Sequence, residues 1–324
     1  MIVPGLFGNK NGRLLGIDIG ATSIRLVELS RCGTGLRLDA YAIEPLPPGV
    51  VVERNLLDTQ GAAQVLSRLL LKAGTALKEG ASAVGGAAVI SKTLELESGL
   101  GEADMQAAIM LEAEQYIPYP LEDVAIDFEV LACPALEPGR VSVLLAACRK
   151  ADVQAREALL ALAGLRARVV ESETDALERA LARLDGVNDP GVVAVVDAGI
   201  STTTLSLVRE GRIVQVRELL LGAFPQGGAA VEDFQLELSQ QVSRALQAFM
   251  ALDQATAVEH LVLTGEMAAY PGLVQGVGQT LGLPALVANP FHDMALGDQV
   301  DACALATDAP ALMVACGLAM RSFD

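Results

Sequence analysis

Leu14-Leu15-Gly16-Ile17-Asp18-Ile19-Gly20-Ala21-Thr22-Ser23-Ile24-Arg25-Leu26-Val27-Glu28-Leu29 opens with an apolar run, breaks at a small-residue turn and resumes with alternating character. That is the pattern of a β-hairpin. Past the middle of the chain it returns as Val192-Val193-Ala194-Val195-Val196-Asp197-Ala198-Gly199-Ile200-Ser201-Thr202-Thr203-Thr204-Leu205-Ser206-Leu207-Val208. Laying Asp18 on Asp197 also lays Gly20 on Gly199, Thr22 on Ser201 and Ser23 on Thr202. Two similar halves, each opening with such a hairpin, predict a duplicated two-domain α/β protein.

The repeated turn carries chemistry. A glycine there lets backbone approach a ligand, and successive N–H groups can cradle phosphate oxygens. Thr22, Ser23, Ser201, Thr202 and Thr203 add hydroxyl donors. A carboxylate beside a phosphate is repelled unless a cation stands between them, so Asp18 and Asp197 are read as partners of Mg2+ through water. Two such loops facing each other across a cleft would hold a nucleotide polyphosphate from both sides. A single Asp-x-Gly is ordinary turn chemistry; paired copies with hydroxyls at matched offsets favour the ligand reading. Thr264-Gly265, ending a short apolar strand, is a third candidate for close backbone approach, near a base or ribose. Gly276-x-Gly278-x-x-x-Gly282 lies inside a helical pattern and is therefore not a dinucleotide fingerprint.

Composition removes several alternatives. The chain has 324 residues, room for about two domains. Its 23 Lys+Arg against 40 Asp+Glu leave a net charge of −17, which repels nucleic acid and anionic lipid as main partners. Trp is absent and aromatics are 3%, so a base-stacking platform is not expected. Five cysteines, Cys32, Cys133, Cys148, Cys303 and Cys316, are scattered with no C-x-x-C pair, which suits a reducing compartment and buried small hydrophobes. With two histidines, His260 and His292, a histidine-based metal site or triad is not expected. The most apolar segment, Ala311–Met320, reads as a core helix rather than a membrane span. MIVPGLFGNKNGR at the start lacks the pattern of a secretory signal, so a cytosolic protein is expected.

Periodicity predicts helices over 57–72, 102–117, 152–162, 174–184, 232–252, 271–281 and 310–321, and strands over 84–96, 124–131, 141–147, 212–221, 261–263 and 285–287. The stretch 82–166 looks like a small α+β unit of its own.

At this point the residues carry a resemblance. Asp18-x-Gly20 and Asp197-x-Gly199, with Gly265, resemble the phosphate-1, phosphate-2 and adenosine motifs of the actin-like ATPase superfamily. More narrowly, Leu111-Glu112-Ala113-Glu114-Gln115-Tyr116-Ile117-Pro118-Tyr119-Pro120-Leu121-Glu122-Asp123-Val124 resembles the PilM family of type IV pilus assembly proteins. The entry Gly16–Leu29, the segment Leu144–Lys150, Gln241-Val242-Ser243-Arg244 and the tail from Asp308 to Asp324 fit it too, so the resemblance covers nearly the whole chain.

The resemblance implies a duplicated, ribonuclease H-like actin fold related to the cell-division protein FtsA. Residues 1–81 and 167–191 would form the first domain and 82–166 an inserted α+β subdomain. Residues 192–304 would form the second domain, and 305–324 a C-terminal helix packing back on the first. It implies ATP and Mg2+ in the central cleft, with Asp18, Gly20, Ala21, Thr22, Ser23, Arg25, Asp197, Gly199, Ser201, Thr202 and Thr203 around the phosphates and Gly265 and Glu266 toward the base. The cytoplasmic N-terminal tail of PilN would sit in a groove beside the inserted subdomain, and the partners would extend to the pilus assembly motor. The protein would then be cytoplasmic and peripheral to the inner membrane, with weak or absent hydrolysis and homo-oligomerisation left open.

Four features depart from the family pattern. Only Ala223–Asp233 stands where a longer helical subdomain is usual, Glu266 replaces the second adenosine-motif glycine, Arg25 replaces a common Lys, and Ala21 replaces a common Ser. Two other readings stay open. A small-molecule kinase of the same superfamily would need a general base, for which no candidate stands out. The other is a scaffold indifferent to nucleotide.

Overall fold

The two hairpins head two sheets built on one plan. The computed structural model describes residues 12–52, 55–134, 139–187, 191–219, 221, 228–252 and 257–323. The segment 1–11 and the first part of the 223–233 stretch, 223–227, lie outside these residues. The first half runs β1 (Leu15–Ile19), β2 (Ser23–Cys32), β3 (Gly35–Pro45), the short pair β4 (Val51–Val52) and β5 (Asn55–Leu56), α1 (Thr59–Ala73) and β6 (Glu79–Val84). Next come β7 (Ile90–Glu97), α2 (Glu102–Ala113), β8 (Val124–Pro134), β9 (Arg140–Arg149), α3 (Lys150–Leu162), β10 (Arg166–Ser172) and α4 (Glu173–Leu181). The second half runs β11 (Val192–Ala198), β12 (Thr203–Arg209), β13 (Arg212–Leu219), α5 (Gly228–Leu252), β14 (Val258–Thr264), α6 (Leu273–Leu281) and β15 (Ala285–Val287). It closes with β16 (Ala295–Leu296), α7 (Ala302–Asp308) and α8 (Met313–Met320).

The first sheet has the order β10-β6-β1-β2-β3-β16 and the second β15-β14-β11-β12-β13. In both, the leading strand is antiparallel to the next, which is antiparallel to the third, and the leading strand is parallel to its other neighbour. The duplication therefore extends from the hairpin to five strands per half. It differs at one edge: β3 is covered by β16, whereas β13 ends its sheet.

Alternation puts one face of each hairpin onto a helix. Leu15, Ile17, Ile24 and Leu26 pack with Val65, Leu66 and Leu69 of α1. Ala194, Val196 and Leu205 pack with Phe234, Leu238 and Val242 of α5. Each large side chain fully buried in this way contributes roughly 1.5–3 kcal/mol. Asp58 accepts the Gly61 N–H to start α1, and Gly74 at φ 64° ends it in the left-handed region.

The opposite face of the first sheet receives α8. A Cβ on Gly16 would fall 1.9 Å from the Ala315 carbonyl oxygen, and one on Gly317 1.8 Å from that of Ala176. Strand, helix and α4 thus meet backbone to backbone. The segment Ala302–Met320 has the length and mean hydropathy, 1.6, of a membrane span, a longer apolar stretch than the ten residues expected, but 61% of it is buried inside the protein. Pro310 interrupts it with a 3-10 turn at Ala309–Leu312, so α8 starts later than the sequence pattern suggests.

The insert has its own core. The sheet β7-β9-β8 packs Leu94, Ile126, Val143 and Leu145 against Ile109, Ala113 and Ile117. Val84, Ala125, Cys148, Val153 and Val170 join it to the first half. The strand expected over 84–96 is broken at Gly85-Gly86, where a Cβ on Gly86 would meet Thr174 Oγ1 at 2.5 Å. α2 stops at Ala113, short of the expected 117, and residues 114–116 form a turn. Of the cysteines expected to be buried, Cys148 and Cys316 are, but Cys32 and Cys303 are exposed.

Candidate functional site

In each hairpin the turn is closed by the same backbone bond. Gly20 N–H donates to the Ser23 carbonyl at 3.0 Å and Gly199 N–H to the Thr202 carbonyl at 3.0 Å. The register places Arg25 directly across from Asp18, and Thr204 across from Asp197. A third element joins them at the end of β14. Gly265 has φ +91°, its N–H donates to the Pro310 carbonyl at 2.8 Å, and the Met267 N–H donates to the Ala198 carbonyl at 2.9 Å. A Cβ at Gly265 would lie 2.4 Å from Asp197 Oδ1, so glycine is required by both conformation and space.

Asp18, Gly20, Ala21, Thr22, Arg25, Asp197, Gly199, Ser201, Thr202, Gly265 and Glu266 line one cavity between the halves. Ser23 is buried beside it and bonded to Glu266. Thr203 is buried as the first residue of β12 and is not part of the lining. Two charged residues outside the expected set also line the cavity, Arg156 of α3 and Glu173 of α4. Arg156 had a sequence signal: it shares the buried face of α3 with Val153, Leu159 and Leu160. Its Nε donates to the Ala83 carbonyl at 3.3 Å, and burial lowers its pKa. Past Arg25 the cleft continues into a second chamber of about 210 Å³, walled by Leu177, Ile213, Val216, Met313 and Val314.

The donors of the first hairpin are already engaged. Ser23 Oγ donates to Glu266 Oε1 at 2.6 Å, Thr22 Oγ1 to Glu266 Oε2 at 2.9 Å, and Arg25 pairs with Glu266 Oε1 at 2.9 Å. The other arm of Arg25 pairs with Asp18 Oδ2 at 2.7 Å. Burial penalises the Arg25 guanidinium, yet Asp18, Glu266 and Asp197 raise its pKa above the ordinary value. Burial also works against the Glu266 carboxylate, but Arg25 and the bonds from Ser23, Arg25 and Thr22 hold it below the usual carboxylate range. Asp197 Oδ1 accepts the Thr264 hydroxyl at 3.3 Å.

With Glu266 in place, the first hairpin does not fit a magnesium–triphosphate group. Two of the hydroxyls and the cation expected to hold a phosphate, Thr22, Ser23 and Arg25, are spent on Glu266, the cavity beside them is about 80 Å³, and Asp18 pairs with Arg25. Among the described residues no group of three or more His, Cys, Asp or Glu side chains could hold a metal ion.

The family model of the type IV pilus assembly protein PilM matches the chain over residues 16–228 and 225–323. The chain belongs to the PilM family. A solved PilM–PilN type IV pilus biogenesis complex includes a chain 30% identical to it, with a TM-score of 0.78 over 97% of this chain and 99% of that one. The ethanolamine utilization protein EutJ from Carboxydothermus hydrogenoformans, 16% identical, shares the fold with a TM-score of 0.53 over 99% of this chain and 92% of its own. The fold is that of the actin-like ATPases, with two sheet-rich halves.

Proposed function

We propose that this chain is an assembly platform of a type IV pilus machine that holds the cytoplasmic N-terminal tail of a PilN-type inner-membrane protein. The observation that carries the reading is the match, end to end, to a PilM chain solved as a PilM–PilN complex. The inserted subdomain supports it. Around α2 it leaves Leu111, Tyr116 and Tyr119 exposed, with Lys92 5.1 Å over the Tyr116 ring. Apolar and aromatic side chains at a surface, beside a cation, suit a short peptide that brings its own apolar anchors. In this reading the protein sits at the inner membrane through its partner, and the pilus motor lies further along the same assembly.

The decisive experiment titrates a labelled peptide of the PilN tail into the purified protein, with and without MgATP. Binding that weakens at least tenfold in Leu111→Asp or Tyr119→Ala is expected; no binding of the tail to the wild type would overturn the proposal. A second reading, in which Glu266 moves aside, the cleft takes MgATP and its occupancy is reported to the tail groove, is favoured by the paired backbone turns at Gly20 and Gly199. It predicts that MgATP shifts the tail affinity, and the same titration reads this directly.

A further inference from the structure

The first hairpin converges three donors on a carboxylate from the other half of the molecule. Thr22 and Ser23 lie at the tip of the β1–β2 turn and Arg25 just inside β2, whereas Glu266 follows the last residues of β14. The Glu266 side chain is 12% exposed. Its direction is set by backbone: Gly265 is tied to Pro310 and Met267 to Ala198, which leaves residue 266 aimed across the cleft. Both carboxylate oxygens are used, one on Thr22 and the other on Ser23 and Arg25.

A carboxylate and a phosphate ask for the same partners: hydroxyl donors, a guanidinium and a concave backbone. We propose that Glu266 is a built-in anion that takes the place of phosphate in this cradle and clasps the two halves together. Arg25 already lies between two carboxylates, Asp18 and Glu266, so a phosphate arriving beside them would be a further anion sharing one cation. Entry of a phosphate chain therefore requires Glu266 to leave, and its departure breaks bonds that cross between the halves. Nucleotide would loosen this cleft rather than close it, the reverse of a switch in which ligand phosphates draw the two halves together. The inference stands apart from the PilN-tail proposal, since it concerns the cleft and not the insert.

The test compares wild type with Glu266→Gly, using MgATP titrations and hydrogen exchange of residues 20–25 and 264–268. In the wild type, the expected results are protection of both segments without nucleotide and no MgATP binding up to about 1 mM. Glu266→Gly should lose that protection, bind MgATP at least tenfold more tightly and regain protection when it binds. Equal MgATP affinity in the two proteins, or unchanged protection in Glu266→Gly, would overturn the clasp. If Glu266→Gly does not fold, the pair Thr22→Ala with Ser23→Ala removes two of the three donors. Faster exchange at 264–268 in that variant supports the clasp, and unchanged exchange overturns it. Tail binding measured on the same variants separates failure of the clasp from failure of the platform reading.

Discussion

The β1–β2 and β11–β12 hairpins share a backbone and differ in what stands opposite the aspartate. Both turns close with a 3.0 Å bond from glycine N–H to a carbonyl three residues on, and both aspartates lie at the same register. In the first, Arg25 faces Asp18 and recruits Glu266; in the second, Thr204 faces Asp197. Duplication has kept the frame, while one cross-strand side chain decides whether the loop is charged and saturated or merely hydroxylated.

The largest effect that would break this contrast is expected at Arg25. Arg25→Ala leaves Asp18 and Glu266 without their shared cation, a loss of about 3–5 kcal/mol, whereas Thr204→Ala should cost no more than about 1 kcal/mol. Denaturant unfolding of the two variants measures both, and equal losses would mean that the hairpins are energetically equivalent.

The contrast between compensated and uncompensated carboxylates recurs on α4. Half-buried Asp175 is pushed up to about 6, chiefly by burial, with Glu171 and Glu178 adding to it against Arg179 and Arg212. Because its folded value lies above its ordinary 3.8, ionising it costs stability that is lost as pH rises from about 4 to about 6. Asp175→Asn should therefore stabilise the protein at pH 7 by an amount on the order of 2–3 kcal/mol, and by nothing below pH 3.8. Glu266 behaves oppositely: its contribution is present above its ordinary 4.5 and is lost as pH falls through its lower folded value. Unfolding curves across pH 3–8 for Asp175→Asn and the wild type would show the gain growing with pH; a constant gain would refute the assignment.

The smallest difference is steric. A Cβ on Gly199 would lie 2.8 Å from the Thr202 carbonyl oxygen, whereas on Gly20 its nearest neighbours are at 3.2 Å, one of them the movable tip of Arg25. Gly199→Ala should cost about 1 kcal/mol more than Gly20→Ala, measurable as a difference in Tm.

Much of this fold was legible because strong signals are local. The apolar runs and small turns at 14–29 and 192–208 specify hairpins by themselves, and the apolar face of α5 specifies its helix. β6 was harder, since Glu79-Gly80-Ala81-Ser82-Ala83-Val84 carries little β-branching and is buried among small residues. β10 begins with alternating charge, Arg166-Ala167-Arg168, and is a strand because β6 pairs with it. β3 and α7 were likewise unanticipated. In the cleft, the turn residues could be named from spacing, but the bond between Glu266 and Thr22, Ser23 and Arg25 could not. Those groups are more than 240 positions apart in sequence, and only the crossing of β14 past β11 brings them together.

The meeting of Gly16 with Ala315 has a consequence for how the protein is made. β1 leaves the ribosome about 300 residues before α8, the helix that seats directly on its backbone. At ~5–20 residues per second, the strand waits on the order of 15–60 s for its cover. During that time Val27 and Leu29 lack the apolar surface that later buries them, so this face of the first sheet stays bare until α8 emerges, and trimming the chain back to Pro310 should leave a first sheet with all its strands but without that cover.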